Sequence, residues 1–136
     1  MTSHLTHHEA LIYVMVMTSA VDRIMSDEEL ARIGRLTNFL PVFADFDEDR
    51  LVDTARECAN LVAGPEGLDI TLEIVREALP TRLYDTAYAL AVEIATADLR
   101  VKPEEIRLLQ LLRDRLKLDK LTCAAIERSA MARFRE

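Results

Sequence analysis

The chain has 136 residues, half of them hydrophobic and 30% charged, enough to close one hydrophobic core and too apolar for a disordered chain. Its net charge of −7 argues against nucleic acid as a general partner, because binding a polyanion needs a basic face that releases counterions. Three glycines, four prolines and no tryptophan, set against many Ala, Leu, Ile, Glu and Arg residues, favour helices over a turn-rich β fold.

The first predicted helix runs from about Leu5 to Ala20. Its Leu11, Ile12, Val14, Met15, Val16 and Met17 cover nearly the whole circumference, as in a helix surrounded by others. The apolar stretch is shorter than the roughly 20 residues of a bilayer span, and neither a basic n-region nor a small-residue cleavage site frames it. It is read as a core helix, with no membrane insertion. A second helix begins after Ser26 with Leu30, Ile33, Leu36 or Thr37, and Leu40 on one stripe, and Pro41 closes it. Asp47 is an N-cap with acids behind it, opening a helix that buries Leu51, Ala55, Cys58 and Val62.

Gly64, Pro65 and Gly67 punctuate the chain before a helix with Leu68, Leu72, Val75 and Leu79, which stops at Pro80. From Thr81 to Ala97 comes a second almost wholly apolar helix. Pro103 opens another with Ile106, Leu109, Leu112 and Leu116, and a last one starts near Asp119 and buries Cys123, Ile126, Ala130 and Phe134. Arg128, Arg133 and Arg135 lie where positive charge suits a helix C-terminus. Cys58 and Cys123 fall inside apolar helical patterns and read as buried thiols, in keeping with a reducing cytoplasm. The expectation is a single all-α domain over residues 1–136 with about seven helices.

The two halves echo each other. A shift of 76 positions aligns Val16 with Val92, Asp22 with Asp98, Glu28 and Glu29 with Glu104 and Glu105, Leu36 with Leu112, and Leu40 with Leu116. Each half reads as apolar helix, Asp, short turn, Glu-Glu, amphipathic helix, which predicts two pseudo-symmetric halves around two central apolar helices.

Asp22 and Asp98 fall at the C-terminal ends of those central helices, where the macrodipole disfavours an anion. Glu29 and Glu105 follow seven residues later in the first turn of the next helix. A tight turn would pair each Asp with its Glu and offer hard oxygen ligands of the kind Ca²⁺ or Mg²⁺ accepts. The purely structural alternative is a capping box at Ser26 and Glu29, acids that complement the helix opened by Pro103, and aspartates that hold their own turns. The alternating ligands and central glycine of an EF-hand loop are missing. Glu93, alone in an apolar helix, belongs either to an acidic cavity beside the aspartates or to an exposed helix edge, and the exposed edge is the expectation. His4, His7 and His8 form an N-terminal cluster, read as a surface group rather than a metal site. With no phosphate loop, nucleophile elbow or zinc motif, a catalytic role is not expected.

Leu11 to Asp22 followed by Met25-Ser-Asp-Glu-Glu-Leu30, and Ala95-Thr-Ala-Asp98 followed by Val101-Lys-Pro-Glu-Glu-Ile106, resemble the two halves of a TerB-like (tellurite-resistance TerB) domain, with the likeness extending from about His8 to Arg133. That resemblance implies a compact bundle of about seven helices with an acidic surface. It further implies a non-catalytic cytoplasmic module of bacterial stress response, with Asp22, Glu29, Asp98 and Glu105 as candidate ligands for a divalent cation (Ca, Mg or Zn) and Glu93 behind them. The chain departs from the family pattern where Arg23 and Leu99 replace the glycine after each Asp, which puts the cation in doubt more than the fold. The alternative is an acidic protein–protein interaction module without metal, whose partners are other proteins.

Overall fold

The computed structural model describes residues 5–20, 24–97 and 101–136. Among them are seven α-helices and no strand. These are α1 (His7–Ser19), α2 (Asp27–Phe39), α3 (Leu51–Ala63), α4 (Gly67–Ala78), α5 (Tyr84–Ala97), α6 (Pro103–Arg115) and α7 (Lys120–Arg133), with 3₁₀ turns at Pro41–Phe43, Glu48–Arg50 and Thr81–Leu83.

Helix α1 is the centre. All residues from Ala10 to Ser19 are buried, so its unbroken apolar run is matched by neighbours on every side: it packs on α3, α4 and α5, and also touches α2 and α6. Full burial of a Leu, Ile, Met or Val side chain stabilises by about 1.5–3 kcal/mol, which makes α1 the largest apolar contributor to the core. Thr18, a buried polar residue inside it, is satisfied locally, its hydroxyl donating to the Val14 carbonyl at 2.8 Å. Thr54 and Thr71 do the same toward Arg50 and Gly67. Helix α5 is the second apolar helix. Ala87, Tyr88, Leu90, Ala91, Val92, Ile94 and Ala95 are buried, and it lies between α1 and α7.

Local chemistry sets the helix ends. Thr6 and Glu9 form a reciprocal capping box at the start of α1, a start expected two residues earlier, at Leu5, and without its cap. Leu40 and Leu79 are extended ahead of Pro41 and Pro80, as the proline ring requires of its predecessor. The Asp47 carboxylate accepts from the Asp49 N–H at 3.0 Å, capping the 3₁₀ turn that leads into α3 rather than α3 itself.

Two expectations about faces need correction. Leu112 and Leu116 are buried as expected and Leu109 packs against the core, but Glu105 and Leu108 complete the buried face of α6, while Ile106 is 47% exposed. The apolar positions of α6 admit two stripes, and the one containing Leu108 wins. On α7 the C-terminal Phe134 is only half-buried, while Cys123 and Ala130 lie in the core. Both cysteines are buried and unbridged.

Candidate functional site

Of the four acids read from the sequence, Asp22 and Asp98 lie outside the described residues, as do Arg23, Leu99 and His4. Glu29 and Glu105 are described, and both stand at the third position of a helix. Glu29 Oε1 accepts from the Ser26 N–H at 2.8 Å, and the Ser26 hydroxyl accepts from the Glu29 N–H at 3.1 Å. Glu105 Oε1 accepts from the Lys102 N–H at 2.9 Å. The N-cap backbones nearly coincide, with φ −78° and ψ 162° at Ser26 and φ −80° and ψ 154° at Lys102.

Each glutamate therefore already gives one oxygen to its helix N-terminus, and each has interactions beyond its cap. A cation between them would have to share the carboxylates with those backbone groups. The two differ in burial: Glu105 is 8% exposed, while Glu29 is half-buried. Among the described residues no group of three or more His, Cys, Asp or Glu is arranged to hold a metal ion.

Glu93 is not on an open helix edge. It is half-buried, and its Oε1 accepts from the Arg133 guanidinium at 2.7 Å across the gap between α5 and α7. An acid inside an apolar helix is tolerated here because a cation from another helix covers it. This pair sits in a groove of about 560 Å³ between α2, α5 and α7. Leu36 and Phe39 of α2, with Leu40 that caps it, form one wall, Ala125 and Ile126 of α7 the other, and Ala89 and Leu90 of α5 lie between.

The groove stays open because Thr86, Ala89, Ala125 and Ser129 carry side chains too short to fill it. It continues between α5 and α7 into a shallower depression that reaches Leu121. Phe39 is 80% exposed and Leu121 81%. The sequence reading missed this surface. The one signal was Phe39 beside the buried stripe of α2, together with Ala and Ser recurring on the outward positions of α5 and α7.

The remaining perturbed groups are structural. The buried Tyr88 hydroxyl donates to Glu127 Oε2 at 2.5 Å, and Arg113 approaches the same oxygen at 3.4 Å. Burial first, and then Glu127, push the Tyr88 phenol well above its ordinary range. Burial raises Tyr13 to about 12 and the Cys58 thiol to about 12. Cys58 Sγ donates to the Tyr13 carbonyl at 3.7 Å. In the opposite direction, the hydrogen bond from Arg76 is the main cause that brings Glu73 down to about 2. Arg115 supports it, bridging α6 to Glu73 and Asp69 of α4.

His7 and His8 are packed rather than loose. His8 Nε2 lies 2.8 Å from the Val42 carbonyl, and its ring meets Phe43 and Phe46 at centroid distances of 5.6 Å. His7 is held below its ordinary pKa, chiefly by burial and then by His8.

Comparison with protein-family models, with curated proteins and with solved structures finds no match to this chain, so the likeness to TerB-like domains rests on the two Asp and Glu-Glu segments alone.

Proposed function

We propose that the chain is a non-catalytic helical module that works by binding protein, with the groove between α2, α5 and α7 as its docking surface for a helix. The observation that carries this reading is the exposure of Phe39 at 80% and Leu121 at 81% along one apolar depression lined by three helices. Large apolar side chains left in water beside a hollow of small residues are the usual mark of a recognition surface, and a trough between two helices accepts the apolar face of a third. The shifted groups support a non-catalytic role: Tyr13, Tyr88, Cys58 and Cys123 shift up, Glu9, Glu73 and Asp119 shift down, and both directions lead away from neutrality, where a general acid or base works best.

An apolar fluorescent dye of the anilinonaphthalene type tests the groove at about 1 μM protein, where association between chains is minimal. The wild type is expected to enhance dye emission, and Ala125→Arg and Phe39→Ser to reduce that enhancement several-fold. Val52→Ser, which changes an exposed residue on α3, is the control. Equal dye binding by all four proteins would remove the groove as the docking surface.

A second reading is favoured by the matched placement of Glu29 and Glu105 in two turns of like geometry. With Asp22 and Asp98 they would form an acidic site for a divalent cation, and the resemblance to TerB-like domains would then place the chain in cytoplasmic stress response of the tellurite-resistance type. Melting curves with millimolar Ca²⁺, Mg²⁺, Mn²⁺ and Zn²⁺ test it. One ion should raise the midpoint by mass action, and Asp22→Asn with Asp98→Asn should abolish the rise. Unchanged midpoints with all four ions would end this reading.

A further inference from the structure

The proposed groove carries more information than its apolarity, because its charges and its shape are self-complementary. The charged residues in the groove proper are Glu93 and Arg133, one acid and one base, on a chain whose net charge is −7. Two copies carry like net charge, yet the groove proper is neutral, and the extension adds one acid, Asp85. Glu93 comes from α5 and Arg133 from α7. In a two-fold pairing, residue i of one copy meets residue j of the other and j meets i. Each Glu93 can then face the second copy's Arg133, converting two internal pairs into an alternating set of four charges.

The shape follows the same rule. Phe39 projects from the wall, and the hollow beside it is kept open by Ala89, Ala125 and Ser129, so the surface holds both a knob and a hole. Knob and hole on one patch are what an isologous contact requires.

We infer that the occupant of the groove is a second copy of this chain, paired about a two-fold axis so that Phe39 of each copy enters the groove of the other. This inference rests on the reading of the groove as a docking surface, and it names the partner. Fourteen residues line the groove and its extension, fewer than the roughly 20–30 per side of a standard interface. The pairing is therefore weak, with a dissociation constant on the order of 10–100 μM.

Sedimentation velocity of the full chain from about 5 to about 500 μM, a range chosen to bracket that constant, tests the inference. The wild-type mass should rise from 15.4 kDa toward twice that value. Ala125→Arg and Phe39→Ser should stay monomeric throughout while keeping wild-type helicity, since both residues are exposed. The charge arrangement gives the sharper arm. Glu93→Arg alone and Arg133→Glu alone should each be monomeric, because like charges then face each other across the axis, and mixing the two variants should restore a dimer. A wild type that stays monomeric at the top concentration overturns the inference. So does a dimer that survives both groove substitutions, or a mixture that forms no heterodimer. A monomeric wild type that still binds the dye through Ala125 and Phe39 would discard the second copy while leaving the docking surface in place, whereas loss of groove-dependent dye binding would remove both.

Discussion

The turn between α3 and α4 makes a demand that one methyl group can test. A Cβ added at Gly67 would lie 2.3 Å from the carbonyl oxygens of both Leu61 and Val62, and 2.6 Å from the Val62 carbonyl carbon. These atoms belong to the last turn of α3, so no side-chain rotation relieves the clash. The turn is also tied from within, by Gly67 N–H to the Gly64 carbonyl at 2.9 Å and Gly64 N–H to the Leu61 carbonyl at 3.2 Å. Overpacking costs about 1–3 kcal/mol when side chains can adjust, and backbone contact puts Gly67→Ala at the upper end, near 3 kcal/mol. For a domain of this size a midpoint moves by about 3–5 °C per kcal/mol, giving a fall of roughly 10 °C. Gly34→Ala is the internal contrast. Its Cβ would meet only the end of the Leu51 side chain, at 3.4 Å, and in the interior of α2 alanine is favoured over glycine by about 1 kcal/mol, so this variant should melt a few degrees higher. Calorimetry together with urea unfolding followed by far-UV circular dichroism would measure both. A Gly67→Ala midpoint within about 2 °C of wild type, a shift too small for a backbone clash, would refute the close approach of the two helices.

Three further outcomes follow from the same geometry. Burial tends to raise Glu9, but the Thr6 N–H and Arg50 outweigh it and hold the carboxyl below its ordinary value of 4.5. A depressed carboxylate stabilises the fold above its unfolded pKa and stops doing so as pH falls through the folded one. The melting midpoint should therefore drop below pH 4.5, and Glu9→Gln should flatten that acid limb; an unchanged limb would contradict the role assigned to the cap. Cys58, buried with its thiol raised to about 12, and the buried Cys123 should react with a disulfide reagent far more slowly in the native protein than in urea, where two thiols per chain titrate at once; immediate native reaction would show that α1 and α3 do not enclose Cys58. Tyr88→Phe removes a hydrogen bond to a charged acceptor and should cost about 1.5–3 kcal/mol in urea unfolding, with a loss below 0.5 kcal/mol showing that Glu127 is held by Arg113 alone.

What could be read from the residues divides along a physical line. Helices α1 and α5 were plain because a run that is apolar on all sides has only one stable location, the middle of other helices. Ser26 with Glu29 predicted a capping box, and the box is present, because that motif is closed within four residues and owes nothing to tertiary structure. The stripe of α6 was ambiguous for the opposite reason. Ile106, Leu108, Leu109, Leu111 and Leu112 fill more of the circumference than one neighbour can cover, and only packing against α1, α4 and α5 selects Leu108 over Ile106.

The candidate site follows the same division. Glu93 was conspicuous as an isolated acid, but its meaning depends on Arg133, 40 residues away in sequence and on a different helix. Nothing local to α5 states that a guanidinium from α7 will reach it. The groove was harder still, because it is defined by what is missing. Ala89, Ala125 and Ser129 are unremarkable helix residues singly, and they form a hollow only where α2 stands off from α7 with α5 between. A surface built from absent side chains leaves no motif, while an exposed aromatic such as Phe39 does leave one. Phe39 adjoins Leu40 but does not share its burial, and on a helix whose inward stripe is already complete, an extra aromatic turned outward has no packing reason to be there. That residue is the point at which the sequence alone would have led from the fold to the groove.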